Sequence, residues 1–361
     1  MKSNILTLIV GLLFACNALA QEAHNTDDKH ASRPHSPYLQ QRDTLDNGFS
    51  EGWMPHFMPS EEYWVDTHTH LGGVTDADGL RQLLDDWFAR LDAFRLGKVV
   101  AITDNEELFE TLGEVMGKNP RLAWIYWPRY ITPPLSLVRK AVQNGACGLK
   151  LHNNLLMEGT TPRTVWQEQA WQEIFAFAES NGLPILWHVT QRVGYSPYHG
   201  GGLNAYWQKG WEQGVDFTNE DLLQDMLALM RRFPKLKIIG AHQFHVGPER
   251  LQKLFQEYEN LYIDSSCGMY LRWADEFIED DRLLLRDFIE KWSERIVFGT
   301  DAEMRPDNID ELAVQSFLCH ARFMLKLGLT DKALQDVAWR TALNLLKQPP
   351  VSSIRRGNVR P

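Results

Sequence analysis

The sequence predicts an α/β fold, a (β/α)8 TIM barrel with an irregular N-terminal leader and an extra C-terminal helix, and three observations predict it. Eight short apolar runs recur along the chain, amphipathic stretches of helical spacing lie between them, and little is left over but a polar leader and a basic tail. Near-continuous apolar strands alternating with helices read as a parallel sheet covered on both faces. Eight such units favour a closed barrel over an open doubly wound sheet, and barrels of this kind commonly use about 250 or more residues as one unit.

In chain order, residues 1–20 read as a secretory signal peptide. Lys2, the apolar run from Ile5 to Ala15 and "ALA" before Gln21 supply its n-region, h-region and cleavage pattern. The run is too short to span a bilayer, so the mature chain is expected without a transmembrane segment, secreted and periplasmic. "LFAC" raises an alternative, a lipid anchor at Cys16, against which stands the bulk of Phe14. Residues 21–62 are polar and without sustained period, an irregular leader. Its His24, His30, His35 and His56 are too irregularly spaced to read as a metal site.

The barrel is expected over residues 63–346. Its strands are "WVDTH" (Trp64–His68), "VVAIT" (Val99–Thr103), "LAWIYW" (Leu122–Trp127), "CGLKL" (Cys147–Leu151), "PILWHV" (Pro184–Val189), "KIIGA" (Lys237–Ala241), "LYIDS" (Leu261–Ser265) and "IVFGT" (Ile296–Thr300). Between them, Leu80, Leu83, Leu84, Trp87, Phe88 and Leu91 recur at helical spacing, as do Leu222, Leu223, Met226, Leu227 and Met230 behind the cap residues Thr218 and Asn219. Gln191–Gly214 is a Gly-rich, aromatic loop too long for an idle connection. Residues 347–361 form a basic tail in which Pro349 and Pro350 end the last helix.

Lys and Arg number 37 against 47 Asp and Glu, a net charge of −10, and removal of residues 1–20 takes only Lys2 away. That balance disfavours a nucleic-acid partner and leaves a small-molecule substrate as the expected one. After cleavage Cys147, Cys267 and Cys319 remain, odd in number and widely spaced, which is no disulfide framework. A homo-oligomer stays open.

In such a barrel, function sits where strands end and the following loops begin. Strand one ends in Asp66, His68 and His70; strand four contributes Lys150 and His152; strands five, six and eight end in His188, His242 and Asp301. A strand's period of two throws His68 and His70 to one side. Alone, the pair reads equally well as hydrogen-bonded polar residues at a loop. With His188, His242 and Asp301 at the same mouth, a metal centre is the better reading, because imidazole and carboxylate suit a divalent ion.

Taken as an ordered set, "VDTHTH", "GLKLH", "GLPILWHV", "IIGAH", "IVFGTDAE" and the closing "ALQDVAWRTALNLL" resemble the strand signatures of the amidohydrolase superfamily, specifically its amidohydrolase-2-like branch of metal-dependent TIM-barrel hydrolases. The resemblance covers about Trp64 to Leu346. It implies His68, His70, His188 and Asp301 as ligands of one divalent metal, zinc suiting them best, with Asp301 also handling the proton and His242 acting as base or electrophilic donor. Such an ion lowers the pKa of its water toward ~7.

Binuclear members carry a carboxylated lysine on strand four, so the resemblance also raises a second metal bridged by Lys150. A substrate anion or a structural pairing would equally relieve a buried ammonium there. His152 shares the face of Lys150, while Arg129, Arg305 and Tyr198 are candidate substrate contacts from loops. Asp264 reads as a buried hydrogen-bond acceptor, Asp66 as support on the same side as His68, and His199 and His245 as loop residues that touch substrate or are simply exposed.

The expected activity is hydrolysis of a C–N or C–O bond, an amide, lactam, lactone or ester of a small molecule, by metal-activated water. One alternative is non-oxidative decarboxylation of a small unsaturated or aromatic acid. Another, of a different class, is a catalytically inactive barrel that binds a ligand.

Overall fold

The computed structural model describes residues 62–129, 134–190, 214–266, 279–306 and 312–351, with the side chains of 279–281 and 312–315 left out. The expected signal peptide with Cys16, the expected leader apart from Glu62, the loop 191–213 with Tyr198 and His199, Cys267 and the tail from residue 352 lie outside the described residues.

Each of the eight apolar runs becomes a parallel strand. They are β1 (Trp64–Leu71), β2 (Leu96–Thr103), β3 (Leu122–Tyr126), β4 (Leu149–His152), β5 (Ile185–His188), β6 (Ile238–Gly240), β7 (Leu261–Asp264) and β8 (Ile296–Val297), followed by the short β9 (Ala302–Met304). The sheet order is β8-β7-β6-β5-β4-β3-β2-β1-β9. Its two ends, β8 and β9, are joined only by Phe298–Asp301, and within that link the Phe298 carbonyl accepts the Thr67 N–H at 2.9 Å. The stretch Ile296–Met304 thus serves both edges, β8 pairing with β7 and β9 with β1.

Helices cover the outside: α1 (Ala77–Leu91), α2 (Phe109–Lys118), α3 (Leu135–Gln143), α4 (Asn154–Met157), α5 (Gln169–Asn181), α6 (Asn219–Arg232), α7 (Pro248–Glu257), α8 (Glu279–Trp292), α9 (Leu312–Lys326), α10 (Asp331–Gln335) and α11 (Thr341–Leu346). The expected apolar stripe of α1, from Leu80 to Leu91, is buried, and Asp76 caps its first turn through the Gly79 N–H. Thr218 caps α6 in a reciprocal box with Asp221. No helix among the described residues is long and apolar enough to cross a membrane.

The last helix differs from expectation in how it stops. A π-turn over Asp336–Arg340 joins α10 to α11, and the Val337 carbonyl there accepts the Phe298 N–H at 3.0 Å, tying the helix to the eighth run. The helix ends at Leu346 on a left-handed Lys347, φ 53, before either proline is reached. The stop is therefore a backbone reversal rather than a missing donor.

Two apolar clusters separate cleanly. Outward-facing strand residues such as Val99, Ala101, Leu149 and Ile263 pack against the helices, and Val65, Val100, Ile102, Ile125, Leu186, Ile239 and Val297 fill the interior. Strand β1 changes register between Asp66 and Thr69: Asp66 lies opposite Val99, yet Thr69 lies opposite Ala101 and His70 opposite Ile102. Strict alternation from Val65 would send Thr67 and Thr69 inward. The extra residue of this bulge reverses the parity and brings His68 and His70 into the interior instead, the re-aiming for which bulges beside active sites are used.

Candidate metal centre

His68 and His70 meet Asp301 at the mouth. One oxygen, Asp301 Oδ1, stands 3.1 Å from His68 Nε2 and 3.2 Å from His70 Nε2, while Oδ2 is 3.9 Å from His242 Nε2. One ligand atom each from His68, His242 and Asp301 lies within 4.8 Å of the others. Gly299 permits the approach, since a Cβ there would come within 2.9 Å of the His68 Cβ. Asp301 itself adopts φ 55, a left-handed conformation that a non-glycine residue takes only when its surroundings impose it.

Burial and partners set the charges. Asp301, whose side chain keeps 39 % exposure, is held well below the usual carboxylate range: its surroundings oppose ionisation, but the charges of His68 and His242 and the bonds from His68 and His70 prevail. Burial pushes His242 down to about 4 and Lys150 down to about 8. Burial, then neighbouring cationic groups, holds His152 and His188 well below the ordinary imidazole value, so these rings stay neutral and keep a lone pair at neutral pH. For His68, burial and Lys150 push down, but Asp301 and Asp264 outweigh them and the net direction is upward.

The structure places the other sequence candidates around this core. His188 is next to it, its ring 4.6 Å from that of His242, and its buried Nε2 has no hydrogen-bond partner. Lys150 Nζ lies 3.1 Å from His68 Nε2. His152 stacks on His188 at 4.0 Å and accepts the Asn154 N–H on Nδ1 at 2.8 Å, which leaves the proton of the neutral ring on Nε2. Arg129 is 61 % exposed at the rim, paired with Asp104 at 2.5 Å and lying over Trp127. Arg305 lies along Gly72.

Two sequence readings are corrected. Asp66 does not share a face with the imidazoles, because the bulge intervenes. Its carboxylate accepts Thr300 Oγ1–H at 2.6 Å and the backbone N–H groups of Thr300 and His68, tying β1 to the segment after β8. His245 is not exposed: it is 4 % exposed and stacks on His242 at 5.3 Å. That stack arises because His242, Gln243, Phe244 and His245 all have positive φ, from 52 to 56, in one left-handed turn. Gly240 makes room for the turn, since a Cβ there would lie 2.2 Å from the Phe244 ring.

The carboxylate that orients His68 is Asp264, whose Oδ2 accepts from Nδ1 at 2.6 Å. It is the buried acceptor that its place in "LYIDS" suggested. Ser266, bonded to His68, His242 and Asp264 together, carried no sequence signal.

The donor set fits a divalent cation. His68 Nδ1 is taken up by Asp264, and the Nε2 atoms of His68 and His70 both stand within 3.2 Å of Asp301 Oδ1, a convergence of imidazole nitrogens and a carboxylate oxygen that suits a divalent ion. The partnerless His188 Nε2 is one more donor waiting at the same mouth.

A barrel with such a mouth defines a class, and sequence comparison names it. The amidohydrolase family profile matches residues 65–348, and the chain belongs to that family. It is a metal-dependent family. No curated protein matches the sequence. Among solved structures the chain is similar to an uncharacterized TIM-barrel protein from Bordetella bronchiseptica, at 14% identity over 80% of this chain and 99% of that one with a TM-score of 0.52. It is similar to dihydroorotase from Campylobacter jejuni at 15% identity, 79% and 83% coverage and a TM-score of 0.51. A probable 2-pyrone-4,6-dicarboxylic acid hydrolase from Acinetobacter baumannii, solved with citric acid bound, is similar at 11% identity, 79% and 100% coverage and a TM-score of 0.51. Likenesses at this identity concern the fold.

Proposed function

We propose that this protein is a metal-dependent hydrolase that cleaves a C–N or C–O bond, an amide, lactam, lactone or ester, of a small molecule. The observation that carries the reading is Asp301 Oδ1 at 3.1 and 3.2 Å from two strand-one imidazoles with His242 beside them. His68, His70, His188 and Asp301 would hold one divalent ion, zinc by the chemistry of three imidazoles and a carboxylate. When bound, such an ion supplies water acidified enough to attack at neutral pH.

The chain's own groups then do the proton work. Asp301 is ionised and partly exposed, so it takes a proton from the attacking water and returns it to the leaving group. His242 faces the same space. His152 carries its proton on Nε2, and Arg129 and Arg305 stand at the rim, where a substrate carboxylate could be held. Lys150, buried and softened to about 8, pairs with His68. Its carboxylation, with a second metal, would show as added mass on the intact protein. The first twenty residues support export to the periplasm.

The test is metal analysis of protein purified without chelator, with turnover of a panel of lactones, lactams, esters and amides before and after chelation. Stoichiometric metal, loss of hydrolysis on chelation, and recovery with Zn2+ are expected. Failure to hold or take up metal overturns the reading, as does release of CO2 from aromatic acids without any hydrolysis.

A further inference from the structure

Ser266 follows the end of β7, is 0 % exposed, and touches three functional groups at once. Its Oγ lies 2.8 Å from Asp264 Oδ2, 3.0 Å from His68 Nδ1 and 3.0 Å from His242 Nδ1. A hydroxyl has one proton and two lone pairs, so these contacts cannot all be donations.

Asp264 decides where that proton goes. Its Oδ1 accepts the backbone N–H of His242 at 2.7 Å and of Ser266 at 3.2 Å, and its Oδ2 accepts His68 Nδ1–H at 2.6 Å. With both oxygens accepting, neither is free to carry an acid proton, and the group is a carboxylate. A hydroxyl oxygen 2.8 Å from a carboxylate oxygen is repelled unless the hydroxyl proton lies between them. Ser266 therefore donates to Asp264 and accepts from His242, while its 3.0 Å contact with His68 Nδ1 shares the proton that His68 gives mainly to Asp264. His242 Nδ1 must then carry a proton to give, and in a neutral imidazole its Nε2 is bare.

We infer that Ser266 is a positioning residue that locks His242 in its Nδ1–H tautomer, so that Nε2 presents a lone pair toward Asp301. His242 is then a base or a ligand and not an electrophilic hydrogen-bond donor. The left-handed turn serves the same end: it aims the His242 N–H at Asp264, while Gln243 Nε2 donates to the carbonyls of Asp264 and Ser266 at 2.6 and 2.9 Å and anchors the turn to β7. Outer partners that fix an imidazole's tautomer raise its worth as a metal ligand and are costly to remove. The inference rests on the proposed reading only in taking the His242 Nε2 side as the functional one; the tautomer itself can be measured whether or not any substrate is hydrolysed.

The experiment is 15N NMR of histidine-labelled, metal-free protein, with the His242 signals assigned by their loss in His242→Asn, followed by titration with Zn2+. The wild-type ring is expected to show a protonated Nδ1 and a bare Nε2. Ser266→Ala, which removes the acceptor, is expected to shift the ring toward Nε2–H and to weaken Zn2+ binding about 10–100-fold. Ser266→Thr, which keeps the hydroxyl, is expected to restore both. A wild-type His242 protonated on Nε2 overturns the inference without any variant having to fold. So does a folded Ser266→Ala whose tautomer and Zn2+ affinity match the wild type.

Discussion

The two ends of this barrel treat buried polar groups in opposite ways. At the base, the charged side chains find near partners, although the buried Trp64 indole N–H has none. Glu62 accepts Gln335 Nε2–H at 2.7 Å and also the Trp339 indole N–H, Lys98 donates to the Pro349 carbonyl at 3.2 Å, and Arg121 Nε donates to the Gly97 carbonyl at 3.0 Å. At the mouth, Asp301 and the His242–His245 turn hold left-handed backbone, at about 1–2 kcal/mol per residue. His188 Nε2 and Gln243 Oε1 lie there buried and without partners. Left-handed backbone also occurs at Arg95 and Lys347 near the base, but only the mouth holds four such residues in succession, and sustained strain of that kind clusters at functional sites. The base, by contrast, is tied to the C-terminal helix through Glu62, which accepts from Gln335 and Trp339.

Substitutions should separate the two ends. The largest effect is expected from Asp301→Asn, which should lower kcat by about 10²–10⁴-fold, the range for loss of a proton-transfer group. Its melting temperature should stay near that of the wild type, and a variant that melts early instead would make Asp301 a structural residue. Asp264→Ala should blur the distinction, since one carboxylate both orients His68 and holds the left-handed turn. Loss of about 3–5 kcal/mol in urea unfolding is expected, with weakened Zn2+ binding.

Glu62→Ala, at the base, should cost about 1–3 kcal/mol by the same unfolding measurement while folded molecules keep their kcat. A fall in kcat there would mean that the ends are coupled.

The smallest effect at neutral pH concerns His320 on α9, 2 % exposed and pushed down to about 4 by burial. Between the unfolded value of about 6.5 and 4, the unfolded chain takes up a proton that the folded one refuses, so stability falls as pH falls through that window. His320→Gln should flatten this part of the stability-pH curve and change little at pH 7. An unchanged acid limb would show that other groups control it.

Strand and helix positions were legible because they depend on local spacing. Trp64–His68 and Val99–Thr103 read as strands from composition, and the structure extends them to Trp64–Leu71 and Leu96–Thr103; the stripe from Leu80 to Leu91 read as a helix from its period. His68, His70, His242 and Asp301 were legible as residues unlike the apolar runs they end, and His188 was legible as a strand-end imidazole. The partnership of Asp264 with His68 was not, because it spans 196 positions and nothing local says which strand end faces which. Nor was the burial of His245. Four consecutive left-handed residues without glycine have no sequence signature, since every one of them prefers another conformation.

By itself, the sequence determined the order of strands and helices, and the supply of imidazoles and one carboxylate at one end of the barrel. Both follow from periodicity and from the cost of burying polar groups in apolar runs. Only the tertiary structure decided which way those groups face and what state they hold. The bulge in β1 turns His68 and His70 inward against the parity counted from Val65. The Asp264–Ser266 pair then sets the proton positions on His68 and His242, because hydrogen-bond direction is settled by contacts between distant segments and not by neighbours along the chain.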